Sequence, residues 1–414
     1  MLTGRRFRVE LTDEQGEYAE RIAGACRAVW NTGLEQRRAY RRRGAWMDYR
    51  KQAGELAEAK TEHTWLADVP GHCLQQTLMD LDRACRAHGT FRVRWRSARR
   101  WQPSFRFPEG NKMVVQQLNR RYARVKLPKL GWVRLRLSRR LDAVVLRSAT
   151  LSREGKHWYV SFLVDDGYQT PATHALPGTA VGVDRGVVVA IATSDGALAN
   201  RDFLTAGERR RALGLQRRLS RSAKHSRNHA KTREALRIIR SRERHRRKDF
   251  CVYTAHRLVT NNELVAIEAL KTKQMTRSAK GTLEAPGTNV RAKSGLNRSI
   301  LSKGWHQFAL ALCSAARYSG TRVVMVPAQH TSQRCSACGH VDPKSRESQA
   351  VFRCTHCSRP AEHADVNAAK NILAAGLAVT ACEDTPPPSG RVASMKQEPA
   401  GNREELLLRP HTIA

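Results

Sequence analysis

Three carboxylates and four thiols carry the chemistry this sequence could do. Asp184 follows Val181-Gly-Val183 and precedes Arg185-Gly186, Glu268 closes the run Leu264-Val-Ala-Ile-Glu268, and Asp365 opens Asp365-Val-Asn-Ala-Ala-Lys-Asn-Ile372. A charged group beside buried apolar residues is costly unless it is paired or bound to metal. Asp and Glu are hard oxygen donors suited to Mg²⁺. Acids on two neighbouring strands and on the helix that follows can converge on a pair of such ions, about 4 Å apart, which activate water and stabilise the leaving oxygen of a phosphodiester. Taken singly, Asp184 could be a turn residue, Glu268 a strand-end surface acid and Asp365 a helix N-cap. Their order and context favour the joint reading as a two-Mg²⁺ site.

Cys335-x-x-Cys338 and Cys354-x-x-Cys357 flank the segment 339–353. Each C-x-x-C turn aims two thiolates at one ion, and four thiolates close the tetrahedral shell of a structural Zn²⁺. His340, His356 and His363 stand nearby as competing ligands. So short a ribbon depends on metal binding for its fold. The zinc is read as a scaffold, separate from the catalytic ions.

The 414 residues suffice for two or three domains with cores of their own, and 74 Lys+Arg against 37 Asp+Glu leave a net charge of +37. An excess of that size repels itself unless a polyanion neutralises it, so nucleic acid is the expected partner. No stretch approaches the roughly 20 apolar residues of a membrane span, and the first residues lack the apolar core of a signal peptide. The expected location is the cytoplasm, where thiols stay reduced. Cys26, Cys73, Cys85, Cys251, Cys313 and Cys382 lack metal spacing and read as small buried side chains.

The elements that position these groups follow from periodicity. Residues 5–11 alternate and predict a strand; Thr12 with Gln15 predicts a capping box. Helical patterns over 13–43, 50–60 and 72–89 follow. Alternation then predicts strands at Phe91–Trp95, Ser104–Phe107, Val125–Leu127, Trp132–Arg136 and Trp158–Phe162, consistent with a small antiparallel barrel with one cationic face. Residues 167–179 read as a linker. Asp184 is expected near the start of a strand whose run Val187–Ala192 is central. Residues 206–249 are the most basic stretch and predict one long helix or a helical hairpin with an arginine face, a disordered basic arm being the alternative. Residues 275–295 read as polar and mobile, then a helix carries Trp305, Phe308, Leu312 and Ala316 on one face, and Thr321–Val326 reads as a strand. The tail from Pro386 is rich in Pro, Gly, Glu and Ser and is expected to be disordered.

The blocks Val-Gly-Val-Asp184, Ile-Glu268-Ala-Leu, Thr331-Ser-Gln-Arg-Cys-Ser-Ala-Cys-Gly339 and Asp365-Val-Asn-Ala-Ala-Lys-Asn-Ile372 resemble the TnpB proteins, the insertion-sequence OrfB proteins ancestral to type V CRISPR effectors. Ala28-Val-Trp-Asn31, Trp65-Leu-Ala-Asp-Val69, Leu74-Gln75-Gln76, Leu127-Pro-Lys-Leu-Gly131 and Gly304-Trp-His-Gln-Phe308 extend the likeness over about residues 5–380. The resemblance implies an α+β multidomain chain: a wedge-type β-barrel (1–14 and 91–170) with a helical recognition insertion (15–90), then an RNase H-like (RuvC) α/β nuclease domain (180–330 and 361–382). A zinc ribbon (331–360) is inserted in that domain, and a disordered tail (383–414) follows.

It also implies a guide RNA from the transposon end, recognition of a short motif beside a double-stranded DNA target, and cleavage of both strands. Base pairing then reads the sequence and the protein reads the motif and the heteroduplex shape. Carried over, Asp184, Glu268 and Asp365 bind Mg²⁺ and catalyse, and the four cysteines bind zinc. Tyr49 and Gln75 fall where the family presents motif-reading residues. Arg217, Arg218, Lys224, Arg227 and Lys231 are the expected nucleic-acid contacts of the basic stretch. A bacterial monomer carrying one RNA is expected, acting at the nucleoid. The alternatives are a miniature type V CRISPR effector or a non-cleaving RNA-guided repressor. Two positions depart from the family pattern: the basic residue that often precedes the last catalytic Asp is Ala364 here, and Arg185 follows the first.

Overall fold

The computed structural model describes residues 1–98, 101–141, 144–282 and 284–384, with side chains as far as Ala381. The chain divides into two units, Met1–Gln169 and Thr170–Ala414. In the first, β1 (Leu2–Glu10) leads into four helices, α1 (Asp13–Arg42), α2 (Tyr49–Glu62), α3 (Thr64–Ala67) and α4 (Gly71–His88). Six strands follow: β2 (Ser104–Phe107), β3 (Val114–Gln117), β4 (Tyr122–Leu127), β5 (Gly131–Arg136), β6 (Val145–Glu154) and β7 (His157–Asp165). Thr12 caps α1 through the capping box with Gln15 that the sequence predicts.

The seven strands form one antiparallel sheet in the order β2-β6-β7-β1-β5-β4-β3. Among the described residues no pairing joins β2 to β3. Alternation sends Phe7, Val9, Val125, Leu135, Leu151 and Phe162 into a core shared with Ile22 and Cys26 of α1 and Leu74 and Leu81 of α4. Arginines take positions between the core residues. Arg6 lies over Tyr159 at 4.1 Å, Arg134 over Tyr122 at 4.0 Å and Arg124 over Trp132 at 4.5 Å.

Phe91–Trp95 is not a strand. Its backbone turns along α1, where Arg38 donates to the carbonyls of Phe91 and Val93. Strands β3 and β6 were not foreseen: β3 is four residues long, and the register of β6 shifts between Leu146 and Ser148, which breaks the alternation.

The second unit contains β8 (Ala180–Asp184), β9 (Ile191–Thr193), β10 (Leu198–Ala199), α5 (Ala206–Arg221), α6 (Arg227–Asn261), β11 (Leu264–Glu268), α7 (Thr272–Met275), α8 (Val290–Lys303), α9 (Trp305–Ser319), β12 (Arg322–Val326), β13 (Val351–Phe352), β14 (Glu362–His363) and α10 (Ala364–Asp384). Its main sheet runs β10-β9-β8-β11-β12, with β8, β11 and β12 mutually parallel and β9 and β10 antiparallel. Val181, Val183, Val265 and Ile267 pack on one side against Ala255 and Val259 of α6 and Phe308 and Leu312 of α9. Leu264, Ala266, Val324 and Val326 cluster with Ile372 of α10.

Small residues let α10 lie directly on the strands. A Cβ on Gly182 would come within 2.0 Å of the Ala369 carbonyl oxygen, and one on Gly376 within 2.5 Å of the Ala266 Cβ.

Asp184 ends its strand rather than beginning one. Residues 185–190 form no strand, because the chain turns so tightly that a Cβ on Gly186 would lie 2.5 Å from the Val189 carbonyl oxygen. The basic stretch is a helical hairpin, α5 and α6, held by Arg242 and Arg246 on Glu208. Helix α8 begins inside the segment expected to be mobile. Cys313 is exposed, against expectation, whereas Cys26, Cys73, Cys85 and Cys251 are buried. The side chain of Cys382 lies outside the described residues, as does the expected tail beyond Asp384, whose first two positions end α10. No helix among the described residues is long and apolar enough to cross a membrane.

Gly182→Ala should push α10 off the sheet and lower the stability of the second unit by about 1–3 kcal/mol, as overpacking of a filled core does. Urea unfolding checks this, and an unchanged midpoint would show that the helix does not depend on that contact.

Candidate active site

The topology brings the three predicted acids to one end of the sheet. Val183 pairs with Ile267, so Asp184 and Glu268 end neighbouring parallel strands side by side, with strands spaced about 4.8 Å apart. Asp365 lies in the first turn of α10, and its Oδ2 is 3.3 Å from where a Gly186 side chain would begin. Glu268 and Asp365 are buried, while Asp184 keeps partial exposure.

Burial, then the charges of Glu268 and Asp365, push the Asp184 carboxyl up to about 7. Burial also raises Glu268, opposed by a hydrogen bond from Thr331 and the charge of Arg185. Desolvation is the leading cause in both cases, because a carboxylate stripped of water resists ionising.

Two arginines offset this charge. Arg185 is buried beside Asp184 and Glu268; burial lowers its pKa, opposed by the charges of Glu268 and Asp184. It donates to the backbone carbonyls of Glu268 and, at 3.4 Å, Trp305, while the Trp305 indole donates to the Gly186 carbonyl at 3.2 Å. Arg346 donates to Asp365 Oδ1 at 3.1 Å and to the Gln349 carbonyl at 3.2 Å. The Asp365 backbone N–H donates to His363 Nδ1 at 3.2 Å, which places any ring proton of neutral His363 on Nε2.

The donor set is oxygen only, and its members resist sharing negative charge; both traits suit a hard divalent cation. Among the described residues, only the four cysteines bring three or more metal-type ligand atoms all within 4.8 Å of one another. The three carboxylates are therefore spaced more widely than a single closed shell.

The thiols do form such a shell. Cys335 and Cys357 sulfurs lie 3.8 Å apart and Cys338 and Cys354 sulfurs 3.7 Å apart. A tetrahedron with metal–sulfur bonds of about 2.3 Å has edges of about 3.8 Å, so the cage already has zinc dimensions. The N–H groups of Cys357 and His356 both donate to the Cys354 sulfur and pull its thiol down to about 6. Buried Ala364 packs with Cys335, Cys354 and Phe352, so a long basic side chain at that position would displace the ribbon core. Arg346, from the ribbon, supplies in space the cation that position 364 lacks.

The predicted nucleic-acid residues are not gathered at the acids. Arg217, Arg218, Lys224, Arg227 and Lys231 are all exposed around the tip of the α5–α6 hairpin. A cleft of about 440 Å³ there is lined by Gly214, Arg217, Arg218, Arg221, Ser222 and Asn228. In the first unit Gln75 is exposed on α4, and Tyr49 opens α2 half-buried against the core. Arg346 and Thr331 were not singled out from the sequence as site residues. They meet their acids across sequence separations of 19 and 63 positions, and only the Thr331 motif block hinted at either.

Comparison with known proteins gives three matching family models: "Helix-turn-helix domain" of the OrfB group over residues 1–45, "Probable transposase" over 161–279 and "Cas12f1-like, TNB domain" over 305–372. Residues 1–45 hold β1 and the single helix α1. The chain is 38% identical over 399 residues to the Escherichia coli (strain K12) protein named "Putative RNA-guided DNA endonuclease InsQ", covering 95% of this chain and 96% of that one. A Streptomyces pristinaespiralis protein of the same name, without the final word, is 30% identical over 407 residues, covering 95% of each. A solved Cas12f1–sgRNA–target DNA complex aligns over 90% of this chain and 98% of its own at 13% identity, with a TM-score of 0.46.

Two outcomes follow from the geometry. Asp184 titrates at about 7 when folded against 3.8 in its ordinary state. Its contribution to stability is thus full below the unfolded value and is lost as the pH rises through about 7. In zinc-loaded protein without added Mg²⁺ the thermal midpoint should fall between about pH 4 and pH 7, and Asp184→Asn should flatten that fall; equal slopes would mean the acid is not held in this environment. For the ribbon, Cys354→Ser should empty the tetrahedral site, read as zinc per chain by atomic absorption, and undiminished zinc would remove Cys354 from the ligand set.

Proposed function

This chain belongs to the TnpB (OrfB) family of RNA-guided DNA endonucleases, and we propose that Asp184, Glu268 and Asp365 are its Mg²⁺ ligands and its centre of phosphodiester hydrolysis. The observation that carries this reading is the convergence of three acids at one sheet end, with Asp184 held near neutrality by burial and by the other two. When bound, a pair of Mg²⁺ ions supplies an activated water and stabilises the leaving oxygen. The chain does the rest. Strand ends fix Asp184 and Glu268, α10 delivers Asp365, Arg185 anchors the backbone at Glu268, and Arg346 offsets the charge of Asp365. Cys335, Cys338, Cys354 and Cys357 hold a structural zinc.

The strand order β10-β9-β8-β11-β12 supports reading residues 180–330 and 361–382 as an RNase H-like (RuvC) nuclease domain interrupted by the ribbon at 331–360. The seven-stranded sheet of the first unit serves as the wedge, and residues 15–90 as the recognition insertion, with Gln75 and Tyr49 toward the target-adjacent motif. The exposed cations of the hairpin, Arg217, Arg218, Lys224, Arg227 and Lys231, bind phosphates of a guide RNA made from the transposon end. The protein acts as a monomer with one RNA, in the bacterial cytoplasm at the nucleoid, and cuts both strands of a double-stranded DNA target. The match of residues 305–372 to a Cas12f1-like domain favours a type V CRISPR effector as the second reading. Retention of all three acids speaks against a non-cleaving repressor.

The test is to express the protein with its native flanking DNA, sequence the copurified RNA, and assay plasmid cleavage. One RNA running from the gene's 3′ end into flanking sequence is expected, and a repeat-derived RNA would favour the CRISPR reading. Asp184→Ala should abolish cleavage and leave RNA binding unchanged; a variant that still cuts would remove Asp184 from the catalytic centre.

A further inference from the structure

The ribbon does more than bind zinc. Its entrance touches Glu268 directly: the Thr331 hydroxyl donates to Glu268 Oε1 at 2.7 Å. Both residues are buried, Thr331 at 9% exposure and Glu268 at 7%, so water competes little for that bond. The cation beside Glu268, Arg185, bonds the backbone carbonyl and not the carboxylate. Among the described residues Thr331 is thus the one hydrogen-bond donor to the carboxylate of Glu268. It satisfies Oε1 and leaves Oε2 as the free donor to a cation.

Thr331 is itself locked. Its carbonyl accepts from Asn371 Nδ2 at 2.9 Å, and the same amide reaches the Arg334 carbonyl at 2.7 Å. Asn367 closes the frame: its amide donates to the Arg334 carbonyl at 2.8 Å, and its oxygen accepts from the Ser336 N–H at 2.9 Å. Asn367 and Asn371 are buried on the helix that carries Asp365, and Ser336 follows the zinc-type ligand Cys335. One polar frame therefore ties the ribbon entrance, α10 and the rotamer of Glu268.

We propose that Thr331 is a positioning residue for the acid centre: its hydroxyl fixes the Glu268 carboxylate in the orientation that receives the divalent cation. The proposal rests on the assignment of Glu268 as a metal ligand. A hydroxyl held on one carboxylate oxygen fixes the rotamer in which the other oxygen can meet a cation. Partners of this kind, one step removed from a metal, alter metal affinity about 10–100-fold when removed.

Thr331→Val keeps the shape and removes the donor, and Thr331→Ser keeps the donor. Mn²⁺ binding to the zinc-loaded full-length chain is read by electron paramagnetic resonance, with Asp184→Ala as the background that lacks the acid site. Thr331→Val should bind Mn²⁺ about 10–100-fold more weakly, Thr331→Ser should bind close to the wild type, and zinc content should be equal in all. The positioning role is overturned if Thr331→Val binds Mn²⁺ like the wild type while Asp184→Ala does not bind. It is equally overturned if Thr331→Val loses zinc or Thr331→Ser fails to restore binding, since Thr331 would then act through ribbon integrity. If Asp184→Ala itself retains Mn²⁺, the acid centre has been misplaced and the underlying assignment fails instead.

Discussion

The structure depends on holding three carboxylates together where little water can reach them. Coulomb repulsion between like charges grows as the local dielectric falls, and so does the cost of ionising each group. Asp184, poised near neutrality, is the visible result of that conflict. Much around it acts to keep the arrangement from relaxing. Two acids end adjacent parallel strands and cannot part without breaking the ladder between β8 and β11. The third rides on a helix pressed against Gly182 so closely that no side chain fits between. Arg185, on the backbone carbonyl of Glu268, and Arg346, on a carboxylate oxygen of Asp365, then spread positive charge around the cluster.

Charge is distributed with opposite signs at two scales. The chain as a whole carries +37, and its hairpin tip is lined with exposed arginines. One end of the five-stranded sheet, by contrast, concentrates acids. A polyanion is drawn to the cationic surfaces over a range set by the Debye length, about 8–10 Å at physiological salt. The acids themselves repel a polyanion at close approach. Attraction and repulsion of a polyanion thus reside on different elements of the chain.

Much of this was legible in the sequence. The short apolar run ending in Glu268 announced β11, the Thr12–Gln15 box announced α1, and C-x-x-C spacing announced the ribbon, whereas Asp184 was expected to open a strand and instead ends β8. Local signals failed where tertiary contact decided the outcome. Phe91–Trp95 alternates like a strand, yet Arg38 captures its carbonyls along α1. Strand β6 hides its alternation behind a register shift. Arg346 and Thr331 sit in polar, loop-like sequence, and their meaning comes from acids far along the chain. Ala364 looked like a lost cation until its burial against the ribbon showed why a long side chain cannot occupy that place.

The chain order of the acids has a consequence for biosynthesis. Asp365 follows Asp184 by 181 residues (365 − 184), and α10 is the last element described. At about 5–20 residues per second, translation takes on the order of 10–40 s to travel from the first acid to the third. The seven-stranded sheet and the arginine hairpin emerge within or before that interval, so the cationic surfaces exist while the acid cluster still lacks its third member. A polypeptide still on the ribosome, or one cut short before the ribbon, therefore carries the cationic surfaces without the complete acid cluster.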